Sequence, residues 1–448
     1  MLDVREAEGR AAALIDAARK AGADAADVLY VGDAATEVQV RLGALEDVTR
    51  SEGEEIGLRF FVGRRSASVS SSDLSRDALA ALVERAAAMA REATEDPFAG
   101  LAPEDRLLRG EAPEIEADDG EDPSPVALKA RALAIEDVAR AVPGVTNSEG
   151  AGVSAGRSVV ALATSQGFSR GYTTSGYVAA ASMIAGVSAD MQRDSASHTV
   201  RHYADLDGPE EIGRLAAERA VKRLGPGRLA SGAMPVLFDP RVGGTLIGNL
   251  LSAMSGPTIA RKTSFLLGRE AEELFGRDIV IVDDPHRRRG LRSKPFDGEG
   301  VATRWARLVA DGRLTGWLLN SASARQLGLE TTGHASRGIG GPPGAGATNV
   351  HLEPGTLTPA ELMADIKEGL YVTELIGQGV NPVTGDYSRG ASGFIIANGE
   401  IAAPVAEITI AGNLIDMFRA LVPANDLEHR RSIDVPTLRI EGMMVAGA

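Results

Sequence analysis

The chain has 448 residues and a formal net charge of −15, with 44% hydrophobic and 24% charged residues. This is the balance of a globular protein too long for one ordinary core. The acidic surplus argues against a nucleic-acid binder, which needs a basic surface for phosphates, and the absence of cysteine excludes disulfides, thiolate metal sites and a cysteine nucleophile.

Residues Met1 to Glu6 open a charged amphipathic helix rather than a signal peptide, and no apolar run approaches membrane-spanning length, so the cytoplasm is the expected compartment. Ala11, Leu14, Ile15 and Ala18 carry helical spacing within Val4–Ala21, with Gly22 as the stop. Short alternating segments follow at Asp27–Val31, Glu37–Arg41, Glu46–Arg50, Ile56–Val62 and Ser66–Ser70. Gly43, Gly53 and Gly63 separate them as turns, giving an antiparallel meander. An Ala-rich helix over Leu74–Ala93 completes an N-terminal α+β subdomain, residues 1–95.

Residues 96–124 read as an exposed linker, broken by prolines and crowded with acids. Ser124-Pro125 starts a helix running to about Val142. Strand-like segments at Val159–Thr164, Ser169–Thr173 and Tyr177–Val187, then a helix over Glu210–Leu224, make residues 125–227 a central α+β subdomain. Gly225-Pro226-Gly227 closes it. Residues 232–448 form the C-terminal domain, with a strand at Met234–Phe238 and a helix from Val242 to Met254. Hairpins turn at Asp311-Gly312 and Asn398-Gly399, and a capping box at Thr358–Glu361 opens a helix to Gly369. The fold class is α+β, with N-terminal antiparallel sheets and helices and a mixed, β-rich C-terminal domain.

Several motifs invite chemistry. His198 and His202 have the four-residue spacing of helical zinc ligands, but Thr199 stands where a zincin carries glutamate and the segment looks extended. Gly152–Gly156 (GVSAG) matches a nucleophile elbow, yet β-like sequence follows where a helix is needed. His286–Arg289 reads as a solvated basic loop. The glycine-rich Arg337–Thr348 is neither a dinucleotide fingerprint nor a P-loop; a mobile surface loop is the plainer reading, a lid the alternative. Gly385–Gly390 (GDYSRG) could hold Asp386 and Arg389 as a structural pair or present them to a cleft.

The C-terminal half resembles the TldD/PmbA family, on the metal-free, PmbA-type side. The residues that carry the likeness are Arg261–Leu267, Asp283–His286, Pro295–Val301, Asn320–Leu329, Thr332–Ala335, Val372–Val380, Thr384–Gly393 and Glu407–Leu414, in order, covering about Met234 to Leu421. The resemblance implies a two-subunit peptidase. Its TldD-type chain carries zinc on a His-Glu-x-x-x-His helix, with a late cysteine as third protein ligand. The matching helix here, Gly243–Ser252, has neither histidine nor glutamate, so no catalytic or metal-binding residue is carried over.

The resemblance thus implies a non-catalytic subunit of a heterodimeric zinc metallopeptidase that cleaves flexible peptides. Zinc is expected only in the TldD-like partner, and no nucleic acid or membrane partner is expected. A homodimer stays open when the chain is alone. His334, Glu374, Asp386, Tyr387, Ser388 and Arg389 are the candidate substrate or partner cleft. The alternatives are a stand-alone regulatory binding protein and a self-sufficient hydrolase.

Overall fold

The computed structural model describes residues 1–447. Helix α1 (Val4–Lys20) starts from a capping box in which Asp3 and Glu6 satisfy one another's backbone N–H groups, and it buries Ala7, Ala11, Leu14, Ile15 and Ala18. Strands β1 (Ala25–Arg41) and β2 (Ala44–Val62) then run unbroken, where four short segments were expected. Gly53 is no turn: it sits opposite Asp33 in a continuous antiparallel ladder, because cross-strand pairing overrides a lone glycine. The chain reverses only at Leu42-Gly43, both at positive φ. Their N–H groups each donate at 2.8 Å to the carboxylate of Glu136. Burial alone would raise that carboxyl, but the hydroxyl of Ser148 and these two N–H groups hold it below its ordinary value.

Strand β3 (Arg65–Ser71) and α2 (Arg76–Glu92) follow. After an irregular segment come α3 (Pro125–Arg140), β4 (Val145–Thr164), β5 (Ser169–Ala185), β6 (Gln192–Val200) and α4 (Pro209–Lys222). All six strands make one sheet in the order β3-β2-β1-β4-β5-β6. Residues 1–95 and 125–227 are therefore not separate sheets, since β1 pairs with β4 from Asp27–Thr164 to Val40–Ala151. The separation survives in the cores. Val28 and Tyr30 at one end of β1 pack under α1 and α2, and Val38 and Val40 at the other end pack under α3. Period-two alternation puts all four on one face.

The opposite face carries Leu29 and Leu162, which pack with Phe168, Phe296 and Val301. Residues 96–124, expected as an exposed linker, are threaded through this interface. Ala102, Leu107, Ile115 and Ala117 are buried. Leu108 N donates to Gly300 O, Ser175 N to Ala117 O and Arg289 N to Ile115 O, and Arg325 donates to the carbonyls of Phe98, Gly100 and Leu101. Small apolar residues spaced among the acids anchor the segment. A count of prolines and charges cannot register them.

The C-terminal unit opens with β7 (Gly232–Phe238), α5 (Pro240–Ala253) and α6 (Gly256–Ala260). A five-stranded sheet, β10-β9-β8-β13-β18, comprises β8 (Ile281–Asp283), β9 (Ala306–Ala310), β10 (Arg313–Leu314), β13 (Val350–Leu352) and β18 (Ile433–Asp434). Helix α7 (Ser321–Leu327) and a small pair, β11 (Ala335–Ser336) with β12 (Gly344–Ala345), are inserted in it. The larger sheet runs β16-β15-β14-β7-β19-β17, from β14 (Glu368–Ile376), β15 (Asp386–Ala397), β16 (Glu400–Asn413), β17 (Leu421–Pro423) and β19 (Leu438–Ala446). Pairing of β16 with β19 closes it into a barrel, with the short β17 paired on one side only. Both hairpins turn where expected, with Asp311-Gly312 and Asn398-Gly399 at positive φ. Helix α8 has the expected capping box but spans only Pro359–Met363; Gly369 already lies in β14, because parallel pairing with β7 claims the segment. Helix α9 (Leu414–Arg419) caps one end of the unit.

Two sequence expectations about loops need amending. The glycine-rich segment has exposed residues at Gly338, Gly340, Pro342 and Gly344, but it is anchored: the Arg337 side chain is buried, with Nη1 2.5 Å from Asp27 Oδ1. A β-carbon at Gly57 would lie 2.1 Å from the Ile339 carbonyl oxygen, so only glycine admits the loop. The basic run is not solvated throughout either. Arg287 pairs with buried Asp434 at 2.8 Å, and Arg289 binds Asp205 and Glu116.

Asp27 also accepts from Arg59 Nε at 2.9 Å. Burial would raise its carboxyl, but Arg337 and Arg59 outweigh that and hold it below the ordinary value. Asp27→Ala would leave two buried guanidiniums unpaired, and thermal or denaturant unfolding is expected to show a loss of about 3–5 kcal/mol. The unfolded chain takes up the proton first as pH falls, so the gap between parent and variant shrinks below about pH 4. An unchanged midpoint at neutral pH would contradict this.

Candidate functional site

A cavity of about 900 Å³ lies between the two halves. Strand β6 and α4 form one wall; the start of α5, β14 and residues 426–435 form the other. A ladder of alternating charges crosses it. Glu374 binds Arg223, which lies 3.5 Å from Asp194; Asp194 binds Arg241 at 3.0 Å, and Arg241 Nε binds Asp239 at 3.2 Å. Asp239 also caps α5 through Arg241 N and accepts from the Tyr371 hydroxyl at 3.3 Å. In the same region Arg430 pairs with Asp207, which lies 3.1 Å from His198 Nδ1. Sequence reasoning missed this constellation. Its one linear trace is the i,i+4 spacing of Arg219 and Arg223, which puts both on one face of α4.

The six candidate residues occupy three settings. His334 is buried, with Nε2 3.1 Å from Asp283 Oδ2 and Nδ1 2.8 Å from Thr332 Oγ1. Asp283 also accepts from Thr348, so the group ties β8 to the segment before β13. Glu374 alone lines the large cavity. Asp386, Tyr387, Ser388 and Arg389 follow one another along β15, so alternation sends them to opposite faces. Asp386 is exposed and holds Thr384 and Asn413, whose hydrogen bonds lower its carboxyl; Asn413 in turn caps α9. Ser388 is exposed, and Arg389 donates to the Ile376 carbonyl at 3.3 Å. Asp386 and Arg389 are not an ion pair. Tyr387 points into the barrel core, where burial pushes its phenol up to about 12 and its hydroxyl has no partner among the described residues.

The motifs set aside on sequence grounds have structural roles. His198 ends up in strand β6 rather than a helix, and four residues of extended chain span about 13 Å. His202 Nε2 instead meets the Glu116 carbonyl at 3.0 Å. Gly152–Gly156 lies inside β4, paired on both sides, so no elbow exists.

The chain matches the PmbA/TldA metallopeptidase domain 1 over residues 26–90, the central domain over 118–224 and the C-terminal domain over 231–447. It is 37% identical to the metalloprotease PmbA of Escherichia coli O157:H7, covering 95% of this chain and 92% of that one. It is 36% identical to the PmbA homologue of Haemophilus influenzae, covering 100% and 98%. The chain belongs to the PmbA/TldD metallopeptidase family. Among solved structures, a Bacteroides thetaiotaomicron protein described as a candidate modulator of DNA gyrase superposes with a TM-score of 0.92 at 25% identity over the full length of both chains. TldE of Thermococcus kodakarensis shares the fold, with a TM-score of 0.87 at 21% identity over 98% and 100% of the two chains.

The zinc that the family name implies does not fit the residues on α5. Its donors over Gly243–Ser252 are the side chains of Thr245, Asn249 and Ser252, of which Thr245 and Ser252 hydroxyls donate back to helix carbonyls. The glycine face is also closed. A β-carbon at Gly244 would sit 3.1 Å from the Ile433 carbonyl oxygen, and one at Gly243 would sit 3.0 Å from Val435. Among the described residues no group of three or more His, Asp or Glu could hold a metal ion.

The β15 residues can be tested one by one. Deleting the unpartnered Tyr387 hydroxyl removes a buried polar group without leaving a partner unpaired. Tyr387→Phe is therefore expected to fold with a melting temperature equal to or above the parent's. Asp386→Ala, which frees the Thr384–Asn413 turn, is expected to melt lower. A marked fall for Tyr387→Phe in differential scanning calorimetry would reveal a bond the geometry does not contain.

Proposed function

We propose that this chain is the non-catalytic subunit of a heterodimeric zinc metallopeptidase, paired in the cytoplasm with a TldD-like chain that carries the metal and cleaving flexible peptides. The observation that carries this reading is α5: the helix that would present the family's ligands offers glycines packed against Ile433 and Val435 instead. Zinc needs three protein ligands and an open position to activate water near neutral pH, and α5 supplies none of the required type. The chain's share of the work is then to shape and enclose the substrate path. Its interdomain cleft is of a size that takes a short peptide. Candidate contacts to substrate or partner remain Glu374, in that cleft, and Asp386, Ser388 and Arg389 on the exposed part of β15.

A second reading comes from the solved relatives described as candidate gyrase modulators: a stand-alone regulatory binding protein. The net charge of −15 weighs against direct contact with DNA.

Co-expression with a TldD-like chain from the same source is expected to give a complex on size exclusion that hydrolyses an unstructured peptide, with neither chain active alone. Elemental analysis of the lone chain is expected to show no stoichiometric zinc. About one tightly held zinc per chain, surviving His198→Ala and His202→Ala, would overturn the non-catalytic assignment. Failure of the two chains to associate would favour the regulatory reading.

A further inference from the structure

The cleft holds more guanidinium than its ladder uses. Arg223, Arg241 and Arg430 are each paired with carboxylates. Arg219 and Arg431 also line the cavity, and among the described residues neither forms an ion pair. Arg219 makes one side-chain hydrogen bond, from Nη1 to the Ser195 carbonyl at 3.0 Å, and Arg431 is anchored only by its backbone N–H on Asp434. They come from opposite walls, Arg219 from α4 and Arg431 from the turn before β18. Burial, then Arg241 and, more weakly, Arg431 bring the Arg219 guanidinium down to about 10, while Asp239 and Asp194 push the other way. The Arg431 guanidinium is likewise lowered by burial and by Arg241 and Arg430, against Asp239 and Asp434.

Folding thus leaves two guanidiniums without an ion pair, from opposite walls of one partly desolvated cavity, an arrangement that an incoming anion relieves. A planar guanidinium fork matches a carboxylate. Asp194, Asp239 and Asp434 are fixed nearby and would repel a multiply charged anion more than a single carboxylate. We propose that Arg219 and Arg431 together form a carboxylate-binding subsite that receives the C-terminal end of a short, flexible peptide. This deepens the peptide-cleaving reading above and rests on it for the identity of the ligand.

The test uses the isolated full-length chain and fluorescence anisotropy, so that neither a partner nor cleavage is required. The probes are short Gly-Ser-Ala peptides with an N-terminal fluorophore, as the free acid, as the C-terminal amide, and as an amide with one internal glutamate. The free acid is expected to bind at least about tenfold more tightly than the plain amide. The same preference should vanish in the Arg219→Gln, Arg431→Gln double variant and persist in part in Arg219→Lys. Thermal unfolding of each variant checks that the fold is kept. Equal binding of free acid and plain amide, or an unaltered preference in a folded double variant, would overturn the subsite. Tighter binding of the glutamate amide than of the free acid would overturn the terminal assignment. A reconstituted pair that cleaves peptides while these titrations fail removes only this inference. Titrations that succeed while the chain forms no complex with a TldD-like partner leave the subsite standing and remove only the heterodimer.

Discussion

Asp27 sits where three parts of the chain meet. Arg59 reaches it from the neighbouring strand β2 and Arg337 from the far half of the molecule, and all three groups are withdrawn from water. Two cations about one anion leave positive charge in a poorly solvated place, which is tolerable only while every partner is present. The interaction therefore specifies how the two halves sit more than it adds stability. With Arg337 held there, the glycine-rich segment lies across Gly57, and the apolar group of Leu29, Leu162, Phe168 and Phe296 closes beside it.

The two halves meet this constraint with different architectures. The N-terminal sheet is open and long, with two cores at successive ends of the same strands. The C-terminal barrel is closed by β16 and β19, and β14 carries Glu374 from that barrel to Arg223 at the end of α4. A barrel strand facing a helix end is a firm support for a polar cleft, and the irregular residues 426–432 complete the second wall. The charge ladder between them satisfies most of the groups it contains. Among the described arginines that line the cleft, Arg219 and Arg431 are left without an ion pair.

Helix α5 joins the two halves of this arrangement. Its cap residue, Asp239, belongs to the ladder, while Gly243 and Gly244 bring its body tightly against the strand region at Ile433 and Val435. Glycines there exchange side-chain chemistry for close backbone approach. Packing takes the space that a side chain at either position would need.

Much of the fold was legible in the linear pattern. The capping box at Thr358, the cap at Ser124, and the tight turns at Asp311-Gly312 and Asn398-Gly399 are local, and the structure realises them as local chemistry dictates. The absence of thiols and the poverty of α5 in metal donors were equally plain in the sequence. Tertiary structure decided the rest: that short β segments fuse into strands spanning both N-terminal parts, that an acidic proline-rich stretch is threaded rather than free, that Arg337 is buried, and that arginines and acids from residues 194 to 434 share one cleft. The physical reason is range. Caps and turns are set by neighbours a few bonds away, whereas a buried charge or a shared cleft depends on groups that hundreds of residues separate until the chain has folded.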